Sequence, residues 1–141
     1  MQMKHKKIII NKSKFNIIVE RLSHQLIENH GDFKETVLIG IQPRGTHLCN
    51  RIHQKLSSLL SNQNIKVGNL DITFYRDDFR RRKDPLEPQA MDIDFSIEGK
   101  HVILIDDVLY TGRSVRAAMD ALMAFGRPKS VELTVFIDRR F

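Results

Sequence analysis

Two carboxylates stand side by side in this chain, Asp106 and Asp107, and Thr111-Gly112-Arg113-Ser114 follows shortly after them. Paired acids repel each other and repel phosphate, so they do not bind an anion directly. They suit hydroxyl groups, or a metal ion reached through water. The Thr-Gly-Arg-Ser run has the opposite preference. A glycine lets the backbone approach a ligand closely, and hydroxyls add hydrogen bonds. If a helix starts there, its first N–H groups have no partner and carry the positive end of the helix dipole, which makes a phosphate site. A sugar phosphate, with an anion at one end and a polyol beside it, satisfies both halves. A second candidate is Gln42-Pro43-Arg44-Gly45, where a guanidinium and glycine-adjacent N–H groups suit a doubly charged anion. The bland alternative for each segment is an ordinary turn with its acids facing water. An Asp-Asp pair directly before Thr-Gly-x-Ser is an unusual composition for such a turn. The Walker-type GxxxxGK[ST] and the dinucleotide fingerprint GxGxxG are both absent, and no Ser-His-Asp set is discernible.

The elements that must position these residues are legible from periodicity. Val102 to Ile105 is apolar with no polar alternation, which predicts a strand covered on both faces, as in a parallel sheet, ending at the acids. Val115, Ala118, Met119, Leu122 and Phe125 then recur at helical spacing. Thr36 to Ile41 predicts another buried strand before Gln42, and Leu48, Ile52, Leu56 and Leu59 a helix after it. Upstream, Phe15, Ile18, Val19, Leu22 and Leu26 form an apolar stripe with Ser13 as N-cap and Gly31 as stop. Ile8 to Ile10 reads as a short strand or extended arm, Ile65 to Arg76 as a strand, and Ser130 to Ile137 as the last strand. This alternation predicts an α/β fold: a mostly parallel twisted sheet with helices on both faces and the ligand outside the carboxyl ends of the strands. Between the third and fourth predicted strands lies a polar segment, about residues 76–90, with Arg76, Arg80, Arg81, Arg82 and Lys83. Segments this long in compact domains are usually functional or mobile; the bland reading of the basic residues is a solvated hairpin.

A length of 141 residues suits one domain, 1–141. The net charge of +6 and pI near 9.7 favour anionic substrates or nucleic acid without separating them. Cys49 is the single cysteine, which excludes an internal disulfide and suits a reducing cytoplasm; its place in a helical pattern reads as a buried, inert thiol. No apolar run approaches a membrane span, and the apolar patch in MQMKHKKIII is too short for a targeting segment.

VILIDDVLYTGRS resembles the motif of type I phosphoribosyltransferases that binds 5-phosphoribosyl 1-pyrophosphate (PRPP). DDVLYTGRSVRAAMDAL, with LDITFYRDD and IGIQPRG upstream, is similar to a subgroup: the bifunctional pyrimidine-operon attenuation regulators that are also uracil phosphoribosyltransferases. The similarity runs from about Ile8 to Arg139. It implies that uracil and PRPP give UMP and pyrophosphate, with magnesium accompanying PRPP and no direct protein ligand to the metal. It assigns PRPP and nucleotide binding to Gln42, Pro43, Arg44 and Gly45 and to Asp106, Asp107, Val108, Leu109, Tyr110, Thr111, Gly112, Arg113 and Ser114. Arg44, Arg76, Asp106 and Asp107 take the catalytic roles, with residues 76–90 as a flexible loop folding over PRPP. It further implies binding of pyrimidine-operon leader RNA in response to UMP or UTP, a contact from His24 that otherwise reads as a solvated histidine, a homodimer or tetramer, and a cytoplasmic location. One departure stands out. Members of the family usually continue for some tens of residues past this Asp-Arg, and that part supplies much of the hood over the base. The hood is therefore expected to be incomplete, with a PRPP- or nucleotide-binding RNA attenuator, or a chain without transferase activity, as the alternative reading.

Overall fold

The computed structural model describes residues 7–62, 64–72 and 91–139, with only the backbone at 91 and 92. Within them the order is α1 (Lys12–His30), β1 (Thr36–Gln42), α2 (Arg44–Leu60), β2 (Val67–Asp71), β3 (Met91–Asp92), β4 (His101–Leu109), α3 (Arg113–Leu122) and β5 (Ser130–Asp138). The strands form one sheet in the order β3-β2-β1-β4-β5. β1 runs parallel to both β2 and β4, and β4 parallel to β5; only the β2–β3 pair is antiparallel. The mostly parallel α/β fold expected from the alternation of elements is the one observed.

The unbroken apolar runs follow from this layering. Successive side chains of a strand point to opposite faces. On one face Val37, Ile39, Ile41, Val102 and Leu104 pack with Ala117, Ala118, Ala121 and Leu122 of α3. On the other, Leu38, Ile103 and Ile105 pack with Leu48, Cys49, Ile52 and Leu56 of α2 and with Val19 and Leu26 of α1. Each fully buried Leu or Ile contributes on the order of 2 kcal/mol, so these central strands have no position for a polar residue until they leave the core. Burial also pushes the Cys49 thiol up to about 12, consistent with an inert core residue.

Several expected boundaries move. Asn11, not Ser13, caps α1: its side-chain oxygen accepts from the Lys14 N–H at 2.9 Å, and the helix starts at Lys12. Gly31 ends that helix as expected, at φ 61°, donating to the Ile27 carbonyl at 2.8 Å. Ile8 and Ile9 are exposed and lie in no strand. The strand expected over Ile65 to Arg76 is Val67–Asp71, and 73–76 lie outside the described residues. α3 ends at Leu122, which leaves Phe125 in a turn, and it faces the sheet with three alanines while Met119 is exposed. Small side chains let the helix lie close to the strands; Ala118 and Leu122 of the expected stripe are on that face, and Met119 is not.

Candidate functional site

The candidate residues gather at the carboxyl ends of β1, β4 and β5. β4 does not stop at the acids. It stays paired with β5 as far as Leu109 opposite Asp138, so Asp106, Asp107, Val108 and Leu109 project from a strand held on that side, and not from a loose loop. The Asp106 oxygen Oδ1 accepts from the Asp107 N–H at 2.8 Å, and Asp107 Oδ1 accepts from the Val108 N–H at 2.8 Å. These bonds orient both carboxylates. Asp106 is buried, and that burial pushes its carboxyl up to about 6; the neighbouring Asp107 carboxylate adds to the rise, while the Asp107 N–H and the Arg44 guanidinium oppose it.

Past β4, Tyr110 and Thr111 lead into α3. Gly112 caps this helix at φ 80°, a left-handed conformation that glycine adopts without strain, and its carbonyl accepts from the Arg116 N–H at 2.9 Å. The Thr111 hydroxyl accepts from the Arg113 N–H at 3.3 Å. Arg113 and Ser114 therefore belong to the first turn of the helix. That turn contains no acidic residue, which leaves its positive end available to an anion.

The second loop closes in beside the first. The Gln42–Pro43 peptide bond is cis, Pro43 precedes α2, and Arg44 and Gly45 open it. Gly45 lies against β4: a Cβ there would overlap the Ile105 carbonyl oxygen and come 3.1 Å from Asp106 Cα. Only glycine permits this approach, which brings Arg44 to the acids. Arg44 Nη1 lies 3.6 Å from Asp107 Oδ2. The hydroxyl oxygen of Thr46, in the same first turn, is buried and has no hydrogen-bond partner among the described residues.

Sequence reasoning missed Arg139 as a member of this group. Its N–H donates to the Leu109 carbonyl at 2.8 Å, and its guanidinium lies 4.4 Å from the centre of the Tyr110 ring, a cation–π stack at the rim of the site. The available signal was an arginine just after a strand, as Arg44 comes soon after β1. Arg76 and the loop 76–90 lie outside the described residues. His24 lies on the exposed side of α1 with Glu20 at 4.0 Å.

The family model of the phosphoribosyl transferase domain matches residues 5–140. The chain belongs to the phosphoribosyltransferase family. This phosphoribosyltransferase is 43% identical over 134 residues to the bifunctional protein pyrR of Enterococcus faecalis, covering 95% of this chain and 74% of that one. To the bifunctional protein PyrR of Haemophilus ducreyi it is 45% identical over 134 residues, covering 94% and 74%. Among solved structures, a hypoxanthine-guanine phosphoribosyltransferase from Bacillus anthracis superposes with a TM-score of 0.71 at 18% identity, covering 98% of this chain and 76% of that one. A hypoxanthine phosphoribosyltransferase from Staphylococcus aureus gives 0.69 at 19%, covering 95% and 68%. At such identities the likeness is one of fold. The phosphoribosyltransferase has no helix among its described residues long and apolar enough to cross a membrane.

Proposed function

We propose that this phosphoribosyltransferase transfers ribose 5-phosphate from PRPP to uracil, and that it also binds pyrimidine-operon leader RNA in response to UMP or UTP. The observation that carries the enzymatic reading is the placing of two oriented carboxylates between a guanidinium loop on β1 and an acid-free helix start after β4. In the reaction the uracil N1–H proton is lost to water, N1 bonds to the anomeric carbon, and the bond from that carbon to the pyrophosphate oxygen breaks with its electron pair on pyrophosphate. Positive charge grows on the sugar and negative charge on the leaving group, so positioning and electrostatics are the protein's main contribution. Asp106 and Asp107 hold the ribose hydroxyls and favour the sugar's charge. Arg44, with Gln42, Pro43 and Gly45 in its loop, receives the pyrophosphate. Thr111, Gly112, Arg113 and Ser114 anchor the 5′-phosphate, while Val108, Leu109 and Tyr110 line the approach. Arg76 completes the leaving-group charge in this proposal.

Displacement in line with the departing group brings the acceptor from the side away from Arg44. In this reading β5, beyond β4 from β1, brings Arg139 and Tyr110 to the uracil side; the strand order and their contact support it. Magnesium fits as a companion of PRPP. No cluster of three His, Cys, Asp or Glu side chains among the described residues could hold a metal unaided, but a carboxylate pair suits an ion that keeps waters and takes phosphate oxygens. When bound, it would neutralise charge on the leaving pyrophosphate. The name of the relatives, bifunctional protein PyrR, and the net charge of +6 support the RNA role, with His24 as a contact, as well as a cytoplasmic homodimer or tetramer. The test is release of pyrophosphate from PRPP–Mg²⁺. Release that requires uracil supports the transferase, and its absence removes it. Salt-sensitive binding of leader RNA, tightened by UMP, supports the regulator, and RNA affinity indifferent to UMP counts against it.

A further inference from the structure

The Arg44–Asp107 pair joins the two halves of the site. Asp107 has one oxygen committed to the backbone, Oδ1 on the Val108 N–H at 2.8 Å. The other, Oδ2, is the one available to a sugar hydroxyl, and it is the one 3.6 Å from Arg44 Nη1. The backbones of the two loops cannot part easily, because Gly45 is packed against Ile105 and Asp106. The Arg44 side chain is free to turn: it is 78% exposed, against 29% for Asp107.

We propose that the Arg44–Asp107 contact couples the anion subsite to the ribose subsite, so that an anion taking Arg44 releases Asp107 for the sugar. This rests on the substrate reading above and adds a linkage to it. In this pair each charge is partly neutralised by the other, and a ligand for either subsite must displace its partner. A ligand carrying both a diphosphate and a sugar replaces both halves of the pair at once. Pyrophosphate alone gives up the Asp107 interaction without supplying a hydroxyl donor to the carboxylate. Sugar and diphosphate on one molecule are therefore favoured over either part alone. The pair is half-exposed and longer than an ideal ion pair, so the coupling is modest, about two- to fivefold in affinity.

The test is calorimetric titration of the full chain with inorganic pyrophosphate, without divalent metal, for wild type, Asp107→Asn and Asp106→Asn. Asparagine at 107 keeps an oxygen for the Val108 N–H, so the strand end is preserved. Asp107→Asn should bind pyrophosphate about two- to fivefold more tightly than wild type, because Arg44 no longer has to leave a carboxylate. At pH 8 Asp106→Asn removes a negative charge one residue away, from a carboxylate that makes no ion pair with Arg44 among the described residues, and should gain less than about twofold through its weaker Coulombic interaction with Arg44. Equal gains in the two variants would reduce the effect to a general field and overturn the coupling. Unchanged or weaker binding in Asp107→Asn would overturn it as well. Wild type that binds neither pyrophosphate nor PRPP–Mg²⁺ is a different failure: it removes the substrate reading, and the coupling with it.

Discussion

The two ends of the sheet use the same kinds of residue in opposite ways. At the amino ends of the strands, polar side chains pair with one another. His30, on α1, lies between β1 and β5: its Nε2–H donates to Glu132 Oε2 at 2.6 Å, and its Nδ1 meets the Thr36 hydroxyl at 3.1 Å. His101 Nδ1 is 2.5 Å from Ser130 Oγ, and Lys100 Nζ 3.0 Å from Glu35 Oε2. At the carboxyl ends, two acids are neighbours, their oxygens are held by backbone N–H groups, and the nearest guanidinium stands 3.6 Å away. The first arrangement closes donors on acceptors and stabilises the fold. The second crowds like charges, which lowers stability and leaves groups for a ligand. Both ends are rich in polar groups; what differs is whether those groups satisfy each other.

The largest break in this comparison should come from Asp106→Asn. Turnover of PRPP and uracil should fall about 100-fold, as when one preorganised electrostatic contact is lost, while the protein stays folded. Wild-type stability should also change with pH in a defined direction. The Asp106 carboxyl lies at about 6 in the fold, above the ordinary range near 4. The folded protein thus holds this proton more tightly than the unfolded chain. The resulting stability is full below about pH 4 and is lost as pH rises through about 6. Relative to Asp106→Asn, wild type should lose on the order of 2 kcal/mol between pH 4 and 7, measured by urea unfolding at each pH. A constant difference between the two proteins would place the carboxyl in the ordinary range.

Gly112→Val tests the anion end. The position has φ 80°, and the space that a side chain's first carbon would occupy is open, so strain rather than collision is the structural cost. Repositioned N–H groups should weaken UMP binding by about 2 kcal/mol, read by calorimetry. Wild-type affinity in a folded variant would move the phosphate elsewhere.

His30→Gln should show the smallest effect on function and a pure effect on stability. Loss of the Glu132 contact should lower the free energy of unfolding by about 1–2 kcal/mol, with PRPP affinity unchanged. A change in ligand affinity without loss of stability would make the two ends less independent than their pairing suggests.

Much of this was legible in the chain. The apolar runs Val102–Ile105 and Val37–Ile41 imply parallel strands because only a sheet covered on both faces tolerates them. The acids, Thr111–Ser114 and Arg44–Gly45 were legible because charge, hydroxyl and glycine are chemical properties of single residues. The start of α1 was less so, since Asn11 and Ser13 are both competent caps and packing decides between them. The sheet-facing side of α3 was legible in part: Ala118 and Leu122 of the expected stripe are in the core, while Ala117 and Ala121, which give a weaker periodic signal than Met119 and Phe125, were not seen although they fit the close approach to the strands.

The sequence by itself determined which side chains are present, their order along strand and helix, and hence the α/β class and the chemistry of a sugar phosphate site. Tertiary structure alone decided the partners. That Asp107 meets Arg44, that Gly45 rests on Ile105, that Arg139 stacks on Tyr110 and that His30 is claimed by Glu132 are contacts between segments far apart in the chain. They depend on the strand order β3-β2-β1-β4-β5 and its register. Local periodicity contains no information about which strand will lie beside which, because that choice is made by the burial of both faces of the sheet at once.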